Sequence, residues 1–385
     1  MIPLIKSIMA PDALERVAEV FSSNHITYGP KVAEFEEALR GRIGNPRLAT
    51  VNSGTSGLHL AVRLATDPPR SDDARKRAAR PAAMADPGEV LSTPYTFEAT
   101  NWTILANGHH IRWVDVDPET LNVDLDDLAR KISPATRAIV VVHWAGYPVD
   151  LDRLRQIIDE AEAANGFRPI VIEDCAHAWG ATYRGVPLGN HGNISVFSLG
   201  PNKLLTCGAG GLIVLPDDES YRRAGLLRWF GLDRQSDPVK RDYDVVEWGY
   251  NFYMIEINAA IGQANLEHVD EALNRHRENA SFYDKGLADV PGLERTQRAD
   301  DREPAFYLYP LKVDDRPSFM RKMIDAGIST TVVTRRNDAH SCTGTSDVAL
   351  PGLDSVQDRV VYIPVGWWLS EDDRAHIVDT IRSGW

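Results

Sequence analysis

The sequence predicts an α/β protein: a large domain with a mostly parallel sheet between helices, followed by a smaller α+β domain. Three observations lead there. The chain has 385 residues, enough for two to three domains. From about 48 to 265, short apolar runs alternate with amphipathic stretches, the pattern of strand–helix units. Beyond 265 that alternation gives way to a mixture of strands and helices. The expected boundaries are 1–265 for the large domain and 266–385 for the small one.

The elements follow in order. Tyr28-Gly29-Pro30 is a turn, and Val32, Phe35, Leu39 and Ile43 then recur at helical spacing. Ala49 to Asn52 reads as a strand and Leu58 to Leu64 as a helix. Residues 67–86 carry prolines at 68, 69 and 81 and read as a surface insertion. Glu89 to Ser92 is a strand and Thr100 to Ala106 a helix. Ile111 to Val116, Ala138 to Val142, Ile170 to Glu173, Ser195 to Ser198 and Gly211 to Leu215 are further strands. Met254 to Leu273 reads as one long helix.

Composition excludes several classes. Hydrophobic residues make up 43% and charged residues 25%, which is globular rather than disordered. The net charge is −13, with no large cationic block, so neither nucleic acid nor an anionic membrane is an expected partner. Cys175, Cys207 and Cys342 are odd in number and widely spaced. No disulfide framework or metal site is expected, and a reducing, cytoplasmic compartment fits. No run approaches the length of a membrane span.

Chemistry concentrates in 168–211. The apolar run Val171-Ile172 ends in Glu173-Asp174, which places Asp174 at the C-terminal tip of a strand. Ligands bind at such tips in open α/β sheets. Lys203 follows between a strand and the small-residue run Gly208-Ala209-Gly210-Gly211. A lysine desolvated there would lose basicity and become able to form a Schiff base. Read singly, Asp174 is equally a helix cap and Lys203 a solvated loop lysine. The glycine run lacks the dinucleotide fingerprint, which disfavours a nicotinamide oxidoreductase.

Eight segments in sequence order carry a resemblance. They are TYGPKVAEFEEAL, NSGTSGLHLA, TPYTFEATNWTILANG, VDVDPETLNVD, VVHWAGYPVDLD, IEDCAHAWGATY, VFSLGPNKLLTCGAGGLIVL and GYNFYMIEINAAIGQANLE. Together they resemble the DegT/StrS sugar aminotransferases, which depend on pyridoxal phosphate and have the fold-type I architecture. The likeness covers most of 27–270 and, more loosely, the C-terminal part.

The resemblance implies roles. Lys203 matches the Schiff-base lysine that also shuttles the proton. Dehydratases of the family carry histidine there, so lysine favours transamination. Asp174 matches the carboxylate that pairs with the pyridine nitrogen. Such a neighbour moves a pKa by ~1–3 units, enough to keep that nitrogen protonated. Gly54, Thr55 and Ser56 match a phosphate site at a helix N-terminus, where free N–H groups and the dipole suit an anion. Ser198 matches a further phosphate hydroxyl. Asn251 matches an asparagine that reaches the phosphate of the neighbouring subunit, which implies a homodimer with active sites at its interface. Phe97 matches the aromatic that stacks on the ring. His177 stands where relatives that use glutamine carry Gln, and so points to L-glutamate as donor. Candidate substrate contacts are Tyr28, Tyr95, His143, Trp144, Arg335, Arg336 and His340. The two arginines replace a V-H-Y-P-type segment and suit a diphosphate or a carboxylate.

The implied activity is a PLP/PMP-dependent transamination of a keto-sugar, expected to be nucleotide-linked, in amino-sugar or natural-product biosynthesis. Competing readings are a cyclitol, acidic-sugar or other non-nucleotide ketone as acceptor, a sugar dehydratase, and a non-catalytic PLP-binding regulator. Lys203 argues against the dehydratase. The joint presence of Lys203, Asp174 and the phosphate residues argues against the regulator.

Overall fold

A computed structural model describes residues 1–67, 88–233, 244–332, 334–344 and 348–385. The expected insertion at 67–86 therefore lies, apart from Asp67, outside the described residues.

The strands, in chain order, are β1 (Leu48–Val51), β2 (Glu89–Ser92), β3 (His110–Trp113), β4 (Thr136–Val142), β5 (Ile170–Asp174), β6 (Thr182–Tyr183), β7 (Val186–Pro187), β8 (Ile194–Ser198), β9 (Gly211–Val214), β10 (Leu293–Arg295), β11 (Arg302–Glu303), β12 (Tyr309–Val313) and β13 (Val360–Ile363). Seven of them form one sheet in the order β1-β9-β8-β5-β4-β2-β3. Pairing from β8 through β5, β4 and β2 to β3 is parallel. Strand β9 alone runs against its neighbours β1 and β8.

The interior strands are continuous apolar runs because both sheet faces are covered. Side chains alternate between two layers. Val171 and Phe197 pack with Leu154 and Ile157 on one face. Ile172 and Val196 pack with Leu60 and Val62 on the other. The covering helices have capped starts. Asp150 accepts the Arg153 N–H ahead of Leu151–Asn165, and Ser53 accepts the Ser56 N–H ahead of Gly54–Thr66. Each such cap contributes about 1 kcal/mol.

The stretch read as one helix over Met254 to Leu273 is two, Glu256–Leu266 and Val269–Gly286. Neither glycine nor proline marks the break at Glu267-His268, so composition gave no warning. The second helix packs on a separate antiparallel sheet, β10-β12-β13, around Tyr283, Leu311, Phe319, Ile363 and Ile377. Contacts tie this part to segments that connect the strands of the large sheet. Strand β11 pairs with β6, and Lys312 Nζ, fully buried, donates to the Pro118 carbonyl at 3.1 Å.

The N-terminal residues strap across the two parts. Ile2 bridges Ile328, the Trp368 indole N–H donates to the Pro3 carbonyl at 3.0 Å, and the Ser7 hydroxyl donates to the Pro201 carbonyl.

Candidate active site

Parallel strands end together, and the ends of β4, β5 and β8 open into one cavity of about 490 Å³. Val142, Asp174 and Ser198 are the last residues of those strands, and all three line it. Lys203 enters from the loop after β8, and Tyr307 from the connection before β12. Leu4 and Ile5 enter from the N-terminal strap.

Asp174 is buried. Its Oδ2 accepts from Thr100 Oγ1 at 2.8 Å and its Oδ1 from the Ala176 N–H at 3.0 Å. Burial pushes its pKa up, against these hydrogen bonds and the nearby Lys203 charge. The Lys203 amine is pushed down to about 8, again by burial, with Asp174 pulling the other way. The two groups are thus partial counter-charges across a desolvated space, each held away from its ordinary ionisation. At pH 7 a lysine with that pKa is roughly one-tenth free amine, about 300 times the fraction of a solvated lysine. His177 is kept neutral by burial and by the Lys203 charge. Its Nδ1 is buried with no hydrogen-bond partner among the described residues.

The opposite wall is the start of the Gly54–Thr66 helix. Ser53 Oγ takes the Ser56 N–H at 3.0 Å, while the Gly54 and Thr55 N–H groups precede any intrahelical acceptor. A Cβ on Gly54 would lie 2.8 Å from the Ser198 Cβ, so only glycine lets the helix end close on β8. The donor set fits pyridoxal phosphate. A helix start with free N–H groups, an amine depressed by burial and a buried carboxylate all line one space of suitable size.

Of the residues expected from sequence, Gly54, Thr55, Phe97, Asp174, His177, Ser198 and Lys203 all line this cavity. Phe97 is 58% exposed and ends the strand-to-helix turn ahead of Glu98–Ala106. Ser56 does not line it: its hydroxyl lies 2.9 Å from Ser53 Oγ, and Ser53 stands at the cavity in its place.

The substrate candidates do not line this cavity. His143 is fully buried. Its Nδ1 accepts the Val149 N–H at 3.0 Å, so Nε2 carries the proton and donates to Glu173 Oε2 at 2.8 Å. Cys175 also lies close, but these ring commitments leave no free lone pair on His143. Tyr95 and Trp144 are buried too, and both contact the Tyr362 hydroxyl at 2.7 Å. They support the cavity from behind. Arg336 is taken up by Asp338 and Asp354, so it is no free anion receptor. Arg335 donates to the Ala339 carbonyl, and His340 lies 3.7 Å from Glu98; neither lines the cavity. Tyr28 packs edge-on against Trp229 and Tyr253, and Asn251 bridges Trp229 through its backbone, both away from this chain's own cavity.

Sequence reasoning missed Ser53, Thr100 and Tyr307. Thr100 sits three residues after Phe97, one helical turn on, and that spacing was the available signal. Tyr307 lies in an apolar run, Ala305 to Tyr309, and carries no local signal.

The profile of the DegT/DnrJ/EryC1/StrS aminotransferase family matches residues 7–382. The chain superposes on the sugar aminotransferase CalS13 from Micromonospora echinospora with a TM-score of 0.94, at 63% identity and covering 100% of both chains. AtS13 from Actinomadura melliaura gives 0.94 at 62% identity, covering 100% of this chain and 99% of that one. The dTDP-4-dehydro-2,3,6-trideoxy-D-glucose 4-aminotransferase of Saccharopolyspora spinosa is 30% identical over 99% of this chain and 96% of its own length.

Proposed function

The chain belongs to the DegT/DnrJ/EryC1/StrS aminotransferase family, and we propose that it moves an amino group from L-glutamate to the ketone of a nucleotide-linked sugar, with pyridoxal phosphate as resident cofactor. The observation that carries this reading is the pairing of a depressed amine, Lys203, with a buried carboxylate, Asp174, at the mouth of a helix N-terminus.

Pyridoxal phosphate, when bound, supplies an electron sink that makes the donor's Cα–H acidic. The chain's residues do the rest. The Gly54 and Thr55 N–H groups and the Ser198 hydroxyl hold the phosphate. Asp174 would hold the pyridine nitrogen, and its carboxylate would favour the protonated form. Lys203 Nζ would hold the cofactor and would take and return a proton, for which a pKa near the working pH is suited. Phe97 would lie against the ring, and Leu4 and Ile5 would keep water from the mouth.

The name of the Saccharopolyspora relative supports a nucleotide-linked keto-sugar. The positions of Asn251 and Tyr28, outside their own cavity, support a homodimer in which each subunit completes the other's site. Three free cysteines suit a cytoplasmic setting, and no helix among the described residues is long and apolar enough to cross a membrane.

The test is an absorbance spectrum of the purified protein loaded with pyridoxal phosphate. L-glutamate is expected to remove the visible-edge band of the lysine-bound cofactor, and a keto-sugar nucleotide to restore it. A band that no amino donor alters would overturn the reading.

A further inference from the structure

Lys203 has a neighbour that the roles above leave unused. Its Nζ lies 4.6 Å from the centroid of the Tyr307 ring, over the face. That ring is held by an aromatic neighbour. It stacks on His177 at 4.4 Å and 25°, and His177 in turn packs on Trp144 at 4.9 Å. Trp144 is anchored by its indole N–H on the Tyr362 hydroxyl. The result is a column, Trp144–His177–Tyr307, that ends on the lysine.

The backbone beneath Tyr307 is held as firmly. Phe306 has a φ of +50°, a conformation that non-glycine residues rarely adopt. Its carbonyl accepts from His276 Nδ1 at 2.8 Å, and burial keeps His276 neutral by lowering its pKa to about 4. The Ala305 N–H donates to the Gly146 carbonyl at 2.9 Å. A strained turn kept this way aims the ring at one place.

We propose that Tyr307 is a positioning residue for the Lys203 amine: the face of its ring is the seat on which the ammonium rests between proton transfers. The π face attracts a cation, most strongly where water is excluded. The ionisable groups that face Lys203 are Asp174 from β5, His177 from the turn after it, and Tyr307 itself. His177 is neutral, and Asp174 is directed toward Thr100 and Ala176. The ring face therefore supplies attraction that the carboxylate alone does not. This role rests on the assignment of Lys203 as the reactive amine.

The test uses the full chain without cofactor. Competitive acylation with acetic anhydride between pH 6 and 10, read at Lys203 by peptide mass spectrometry, gives the amine's ionisation. Tyr307→Leu is expected to lower the apparent pKa by about one unit, which raises the free amine at pH 7 roughly fivefold, from about one-tenth to about one-half. Tyr307→Phe, which keeps the face and loses the hydroxyl, is expected to match the parent. A value unchanged or raised in Tyr307→Leu would overturn the proposal. A raised value would mean that the ring acts only by keeping water out. Should the leucine variant fold poorly, phenylalanines of increasing fluorination at 307 keep the shape and empty the π face. A graded fall supports the proposal and a flat series sinks it. Since no transamination is measured, failure here is distinct from failure of the glutamate half-reaction.

Discussion

Replacing Thr100 with valine removes one hydroxyl from the site and almost no volume. Thr100 Oγ1 lies 2.8 Å from Asp174 Oδ2 and 2.9 Å from Thr96 Oγ1. It has a single proton. An ionised Asp174 takes that proton, so Thr96 must be the donor to Thr100, and the two hydroxyls form a directed chain ending on the carboxylate. A hydrogen bond to a charged buried group contributes about 1.5–3 kcal/mol. Without it, Asp174 keeps only the Ala176 N–H, and its pKa rises further. If the same interaction holds Asp174 ionised during proton transfer, the rate falls roughly tenfold to a hundredfold, at 1.36 kcal/mol per decade. The assay is the single-turnover reaction with L-glutamate, followed by absorbance, with cofactor content measured alongside. Thr100→Ser is the control and should restore most of the rate. A Thr100→Val rate within about twofold of the parent, at equal cofactor content, would refute the reasoning.

Further outcomes are expected at three other residues. Lys203→Ala should abolish multiple turnover while leaving the fold intact by circular dichroism; sustained turnover would remove Lys203 from the mechanism. Asp174→Asn should slow catalysis yet stabilise the cofactor-free chain. Burial raises the Asp174 pKa, so the folded state binds its proton more tightly, and stability is lost as pH rises through the folded value. The gap in melting temperature between variant and parent should therefore widen from pH 4 to pH 8, and a constant gap would contradict this. Glu36→Ala should cost about 3–5 kcal/mol in urea unfolding, because Arg228 would be left buried without its partner at 2.6 Å. Burial opposes the Glu36 charge, but Arg228 and Thr50 outweigh it and hold the pKa low. That stabilisation should fade as pH falls through the folded value, narrowing the difference in acid.

The sheet was legible because parallel interior strands are unbroken apolar runs, and Val171-Ile172 ending in Glu173-Asp174 marks a tip directly. That Lys203, Asp174 and Gly54 meet at one cavity was legible through the order of many segments rather than through any one of them. What the chain alone did not reveal has physical reasons. Arg336 reads as an anion receptor in the chain, and only folding brings Asp354 against it. His143 and Trp144 read as candidate substrate contacts in the chain, yet both are fully buried. Tyr307 is an aromatic in an apolar run more than a hundred residues from Lys203, and nothing local separates it from core. The break at Glu267-His268 escaped because helices also end without glycine or proline.

The cavity draws on Leu4, Gly54, Phe97, Asp174, Lys203, Tyr307 and Thr331. These positions run through most of the chain, so no short stretch can present the site by itself. A growing polypeptide must be made past Thr331 before the pocket closes, and its assembly waits on contacts of long sequence separation, which form slowly. The same spread ties any occupant to global unfolding. A ligand at a hundredfold excess over its Kd stabilises the folded chain by about 2.7 kcal/mol. Here that gain would be felt from the N-terminal strap to the C-terminal sheet. Cofactor retention thus becomes a readout of whether the whole molecule has folded.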